Sequence, residues 1–283
     1  MRLSATGIKA YLTCPRRYRY AYVDRVPAVP TGPLVFGSIV HAAIHEGHRL
    51  CLSTGTAMDA EAGIEAFRRL WAEALRRERP LFKDGRATQD AYTALGERIL
   101  RGYADAHPKS PPTIALEHRF ELPWRDHVLS GVVDRIDEGD QGLVIYELKT
   151  SQKRPTTREL NTDLQLTIYA YAVTRAFHRP VERLVHYHLR GTEAIATRRT
   201  DASFRYLLGS VFPHVSQAVT AGLFGPTPSW HCRLCDYREL CAAEKADALR
   251  RTIPLGLRAD CQLDAALESI LMCRPSPLAS VAA

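Results

Sequence analysis

The sequence predicts an α/β fold, and three observations predict it. Three Val-, Ile- and Leu-rich segments, 114–122, 127–137 and 142–149, follow one another with short polar turns between them, which is the pattern of paired strands. Amphipathic helical stretches precede them. A helical segment at 158–177 and a further strand at 182–190 follow, so helices flank a central sheet. With 283 residues, 46% hydrophobic and 24% charged, the chain has enough apolar material for one large domain or two small ones.

In chain order, residues 4–22 read as a helix, with Ser4 or Thr6 as its cap and Ile8, Tyr11 and Leu12 as its apolar stripe. Pro27, Pro30, Gly32 and Pro33 then force a loop. Residues 37–52, 59–79 and 88–106 are helical, with Gly85 in the last connection; the section from about 53 to 106 closes at Pro108, Pro111 and Pro112. After the strands, a helix is expected over 201–221, and Pro226 and Pro228 lead into a group of cysteines. The reading gives one domain over 1–250 and a partly disordered extension over 251–283, with a short helix near 261–272.

Basic residues outnumber acidic ones, 38 to 31, for a formal charge of +7 and a pI near 9.1. Such an excess suits a polyanionic partner such as nucleic acid, although an Arg-rich composition alone produces it too. Arginines group at Arg16, Arg17 and Arg19 and at Arg76, Arg77 and Arg79. No apolar run approaches the ~20 residues of a membrane span, and the first residues lack the apolar core of a secretory signal. The expectation is a cytoplasmic protein without membrane contact, in which thiols stay reduced.

That expectation gives meaning to Cys232, Cys235 and Cys241, which lie within ten residues. Three soft thiolates so close point to a metal centre that needs a fourth ligand. Cys14, in Cys14-Pro15 near the other end of the chain, is the candidate. Four thiolates suit an iron–sulfur cubane or a structural zinc ion. In either case the centre would clamp the two ends of the chain together, by closing a long loop. Cys51, Cys261 and Cys273 read as small hydrophobes.

A second constellation lies on the hairpin formed by 127–137 and 142–149. Its turn, Glu138 to Gly142, makes the numbers of facing residues sum to about 281, so Asp134 faces Glu147. Facing Cβ atoms lie about 5 Å apart, and Lys149, two residues on, shares the face of Glu147. Two carboxylates at that range repel unless a cation separates them, and oxygen ligands suit Mg²⁺ or Mn²⁺. An exposed surface ion pair is the plain alternative. Against it, Val144, Ile145 and Leu148 make the strand apolar around the charges.

Asp134 followed by Glu147-Leu148-Lys149 resembles the D…(D/E)xK signature of the PD-(D/E)XK, or restriction-endonuclease-like, nucleases. Further segments resemble the RecB-type exonuclease branch. They are Gly131-Val132-Val133-Asp134-Arg135-Ile136-Asp137, Ile145 to Ser151, Gln165-Leu166-Thr167-Ile168-Tyr169-Ala170, and Gly37-Ser38-Ile39-Val40-His41. Leu3 to Pro15, with Cys232, Cys235 and Cys241, resembles that branch's iron–sulfur set. The likeness spans roughly residues 3–241 in order, with Glu147 standing where many members carry Asp.

The resemblance implies a core of one mixed sheet flanked by helices, with an N-terminal helical section and an iron–sulfur clamp. It implies that His41, Asp134, Glu147 and the main-chain carbonyl near Leu148 hold Mg²⁺ or Mn²⁺, that Lys149 is catalytic, and that Gln165 and Tyr169 line the site. Cys14, Cys232, Cys235 and Cys241 would hold a [4Fe-4S] cluster, with zinc the alternative. Glu117 stands as either an extra acid or an arginine's partner, and His45 and His48 share a helix face with His41, which admits a solvated histidine stripe. The implied activity is a metal-dependent DNA exonuclease on single-stranded ends, in repair or recombination. Alternatives are a CRISPR-adaptation trimming nuclease and a non-catalytic DNA-binding module. No Walker A pattern is present, so a helicase activity would come from a partner.

Overall fold

The computed structural model describes residues 1–82, 86–109 and 111–252. Its elements are β1 (Arg2–Ser4), α1 (Ala5–Thr13), α2 (Pro15–Tyr18), a π-turn (Arg19–Val23), α3 (Gly32–Thr54), α4 (Ala60–Glu78), α5 (Arg86–Asp105), β2 (Thr113–Trp124), β3 (His127–Glu138) and β4 (Leu143–Lys149). Then come α6 (Thr157–Asn161), α7 (Leu164–Phe177), β5 (Val181–His188), β6 (Glu193–Thr197), α8 (Asp201–Tyr206), a second π-turn (Leu207–Val211), α9 (Phe212–Thr220), a 3₁₀ turn (Trp230–Leu234) and α10 (Arg238–Thr252). The helix expected near 261–272, and nearly all of the expected extension, lie outside the described residues. No helix among the described residues is long and apolar enough to cross a membrane.

The expected helix over 4–22 is interrupted. Ser4 Oγ accepts the Gly7 N–H at 3.0 Å and starts α1, but Cys14 is extended, with φ −161° and ψ 110°. Pro15 explains the break, because a proline pushes the residue before it out of the helical region. The expected helix over 158–177 is also two: Asp163 stands between α6 and α7 and caps α7 by accepting the Leu166 N–H at 2.9 Å. Over 201–221 the helix runs through a π-turn just ahead of Pro213, which has no N–H to give. Strands β1 and β6 were not expected; three and five residues are too short to show a period.

The chain divides into two compact units, Met1–Lys9 with Val29–Ala221, and Ala10–Ala28 with the chain from Gly222 onward. The larger unit holds a mixed sheet in the order β1-β3-β4-β5-β6, with β2 on the other edge of β3. β1 pairs parallel with β3, and β4 parallel with β5; the other pairings are antiparallel. The parallel β4–β5 pair needs a crossover, supplied by α6 and α7. Helix α7 packs on β2, β4 and β5. Helices α3, α4 and α5 form a core with Phe36, Phe67, Trp71 and Leu100 at its centre, joined by Leu148 and Tyr187 from the sheet. The sheet is therefore flanked by helices, as a restriction-endonuclease-like core requires.

In the smaller unit, Tyr11 donates to the Leu223 carbonyl at 2.7 Å. Tyr237 donates to the Val26 carbonyl at 3.0 Å, and Arg16 donates to Glu244 at 2.5 Å. Tyr18 stacks between Tyr22 and Phe224, with ring centroids 5.0 and 6.3 Å away. Its tyrosines are thus largely packing residues.

Candidate active site

The β3–β4 ladder sets the site. Arg135 pairs with Tyr146, Ile136 with Ile145 and Asp137 with Val144, so facing numbers sum to 281 as the turn predicts. The ladder stops at Arg135. On the same edge of β3, β1 pairs only with Val128–Ser130, which leaves 131–134 in an open fork. At its mouth the Leu148 N–H donates to Asp134 Oδ2 at 2.7 Å; a carboxylate takes the bond a strand would otherwise make.

On the opposite edge, Glu117 is left out of the β2–β3 ladder between the pairs Leu116–Arg135 and His118–Val133. Its φ is +47°, a left-handed conformation that costs a non-glycine residue about 1–2 kcal/mol. His41, Glu117 and Asp134 each bring one ligand atom to within 4.8 Å of the other two, with His41 Nδ1 3.5 Å from Asp134 Oδ1.

Glu147 is 3% exposed. Its Oε1 accepts from the Lys149 ammonium and from Gln165 Nε2 at 2.8 Å, and its Oε2 is buried with no hydrogen-bond partner. Gln165 Nε2 also lies 2.9 Å from the Tyr169 hydroxyl, and Lys149 Nζ lies 3.5 Å from Gln165 Oε1. Gly131 makes room for this group: a Cβ there would meet Phe120 at 2.6 Å and Tyr169 at 3.4 Å.

The electrostatics follow. Burial, then the charge of Asp134, raises the Glu147 pKa to about 7, against the pull of Lys149. Burial and Asp134 also raise Glu117. Burial would lower His41, but Asp134 and Glu147 outweigh it and raise it. Burial likewise opposes the charge on Lys149, yet Glu147 and Asp134 hold its pKa up. Three crowded acids and a lysine are a charge arrangement short of positive charge.

The family model of the PD-(D/E)XK nuclease superfamily matches residues 2–242. The chain belongs to the PD-(D/E)XK nuclease superfamily. It is 24% identical to the Gene 69 protein of Mycobacterium phage D29, over 86% of this chain and 97% of that one. It is also 24% identical to the Gene 69 protein of Mycobacterium phage L5, over 86% and 96%. Its fold is similar to the crystal structure of a candidate exonuclease from Eubacterium rectale, with a TM-score of 0.50, 10% identity, and 83% and 87% of the two chains covered.

PD-(D/E)XK nucleases use divalent metal ions, and the residues of this nuclease fit one. The close His41, Glu117 and Asp134 atoms form a hard, oxygen-rich donor set, which suits Mg²⁺ or Mn²⁺, and Glu147, whose Oε2 is buried without a partner, adds its charge to the same site.

The structure thus brings His41, Asp134, Glu147, Lys149, Gln165 and Tyr169 together, with Glu117 among them. The alternative of a solvated histidine stripe is not met, since His48 is 2% exposed. Its Nε2 contacts the Tyr103 hydroxyl at 2.7 Å and Arg135 Nη1 at 3.3 Å.

Two residues beside the site escaped the sequence reading. Asp163, the cap of the helix carrying Gln165, receives Lys9 Nζ at 2.9 Å; the signal was an Asp opening a helical run. His186 pairs in register with Glu147 on β5. Burial and Lys149 lower its pKa to about 4, and no motif marked it.

Cys14, Cys232, Cys235 and Cys241 all lie in the smaller unit, each half-buried, whereas Cys51 is buried. Burial raises the Cys241 thiol pKa, Arg16 lowers it, and Cys14, Cys235 and Cys232 raise it further. The Cys241 sulfur is therefore close enough to those of Cys14, Cys235 and Cys232 to feel their charge.

Proposed function

We propose that this nuclease is a divalent-metal-dependent DNA exonuclease of the RecB-type branch, acting on single-stranded ends in repair or recombination. One observation carries the reading: the β3–β4 fork converges Asp134, Glu147 and Lys149 beside His41 and Glu117, with a buried carboxylate oxygen of Glu147 left without a partner.

In this reading His41, Asp134 and Glu147 hold Mg²⁺ or Mn²⁺ with the main-chain carbonyl of Leu148, and Glu117 is a further carboxylate. The ion, when bound, supplies Lewis acidity at the scissile phosphate and a more acidic water. Lys149 stays protonated beside Glu147 and orients the attacking water or offsets charge on the pentavalent phosphorus. Gln165 holds Glu147 and Tyr169 in place through one amide. Burial keeps Tyr169 a neutral phenol by raising its pKa, so it serves as a hydrogen-bonding wall and not as a base.

The formal charge of +7 supports an affinity for DNA that falls with salt. For the four cysteines the reading adopts a [4Fe-4S] cluster as a clamp, in the reducing cytoplasm that such a cluster requires, with zinc as the alternative metal. Unwinding, where it is needed, falls to a helicase partner.

The test is digestion of end-labelled linear and closed circular DNA, single- and double-stranded, with Mg²⁺ or Mn²⁺. Linear single strands should shorten from their ends, circles should persist, and Lys149→Ala should abolish digestion. Cutting of circles at the linear rate, or full activity in Lys149→Ala, would refute the reading.

A further inference from the structure

We infer that Trp230 and His231 form a base-stacking platform for single-stranded DNA in the smaller unit. This deepens the proposed function and rests on its DNA substrate.

The observation is an unusual tryptophan. Trp230 is 67% exposed, whereas Trp71 is 2% exposed in the core of the larger unit, and Trp124 is half-buried against Phe212 and His127. An indole is the largest apolar side chain, and leaving it in water forgoes its burial energy. The imidazole of His231 packs on it, with ring centroids 3.6 Å apart and planes tilted by 31°. Two flat rings are thus presented together, both exposed.

The platform is held by its backbone. Pro226 and Pro228 stiffen the approach. Ser229 Oγ accepts the His231 N–H at 3.3 Å, and the Ser229 carbonyl accepts the Cys232 N–H at 3.0 Å. The Ser229 N–H in turn lies 3.4 Å from the Cys232 sulfur. This closed set of bonds fixes the backbone of the turn that carries Trp230.

Its surroundings select the occupant. Arg233 and Arg238 are exposed within the next eight residues, and Leu234 is 76% exposed. The nearby Asp236 carboxylate is engaged by Arg17 at 3.5 Å; Glu239 is the other exposed acid of this stretch. Paired exposed rings on a stretch that also carries two exposed arginines match a partner with flat apolar faces strung on a negative backbone. Single-stranded DNA has both, and its bases are free to stack without regard to sequence.

The chain contains three tryptophans, so fluorescence can report on this one. The experiment uses the full chain in a Lys149→Ala background, to prevent digestion, titrated with oligo(dT) and with an abasic oligonucleotide of equal length. Oligo(dT) should quench the emission. Trp230→Ala should remove that quenching and weaken oligo(dT) binding by at least about fivefold, Trp230→Phe should retain most of the affinity, and the abasic strand should bind parent and Trp230→Ala alike. Equal oligo(dT) affinity in parent and Trp230→Ala overturns the platform, as does abasic DNA binding the parent as tightly as oligo(dT). A change in the far-ultraviolet circular dichroism of Trp230→Ala transfers the decision to Trp230→Phe, whose failure to bind would also overturn it. Digestion by the Lys149-intact protein without quenching would sink the platform and leave the nuclease reading standing.

Discussion

The Leu148 N–H donates to Asp134 Oδ2 at 2.7 Å at the point where the β3–β4 ladder ends. Asp134 thus closes the fork with one oxygen and sets the other 3.5 Å from His41 Nδ1, where the proposed function has it hold the metal. Asp134→Asn keeps an acceptor but loses the charge, so digestion should disappear while the melting temperature changes little. Asp134→Ala should lose digestion and also about 1 kcal/mol of stability, the worth of one hydrogen bond. Thermal melting of the two variants side by side checks the separation; equal losses in both would contradict it.

Gln165 fixes Glu147 Oε1 and the Tyr169 hydroxyl through a single nitrogen. Gln165→Ala should therefore lower kcat by roughly tenfold with a smaller change in KM, because it disturbs aim more than binding. Lys149→Ala should cost at least about 10²-fold. Steady-state rates on single-stranded DNA measure both.

Behind the site, Arg135 is 2% exposed. It pairs with Asp137 at 3.1 Å, donates to the Tyr103 hydroxyl at 2.7 Å and lies 3.7 Å from the centroid of the Tyr146 ring. Arg135→Met would strand Asp137, for a loss of about 3–5 kcal/mol. The double variant Arg135→Met with Asp137→Leu should recover part of it in chemical denaturation.

The same network sets a pH dependence. Burial, then the Arg135 charge and the neighbouring His107 and His45, depress the His48 pKa to about 3. The unfolded chain takes up this proton near pH 6.5 and the folded one does not, so stability falls as pH drops from about 6.5 toward 3. His48→Gln should show a shallower fall than the wild type, by up to about 1.4 kcal/mol per pH unit. Parallel curves would rule out a buried neutral His48.

Cys14→Ser should lose bound metal and melt at lower temperature, since metal binding is folding energy when its ligands come from distant segments. Elemental analysis of the wild type should find iron. Zinc in its place would keep the clamp and exclude the cluster, and unchanged metal in Cys14→Ser would exclude Cys14 as a ligand.

Much of this was legible in the residues. The hairpin register followed from turn length alone, because antiparallel pairing leaves no freedom once the turn is fixed, but the fork that opens one step before Asp134 and Glu147 did not. The three long helices of the larger unit followed from apolar spacing. The break at Cys14 was readable from Pro15 but was overridden by the stripe of Ile8, Tyr11 and Leu12. The kink at Glu117 was hidden, since nothing in a strand's alternation announces a left-handed residue. The role of His48 was not legible because it depends on Arg135, a partner 87 positions away.

Successive residues of β3 send their charges to opposite sides, Asp134 into the fork and Arg135 into the packed interior with Tyr146, Tyr103 and His48. A slip of one residue would exchange them, setting a carboxylate in the packed interior beside Tyr146, Tyr103 and His48 and a guanidinium in the fork. Such a mispaired hairpin meets a charge penalty on both surfaces at once. The chain thus carries its own proofreading of the register that sets Asp134 in the fork, and the arginine that enforces it lies buried on the opposite side.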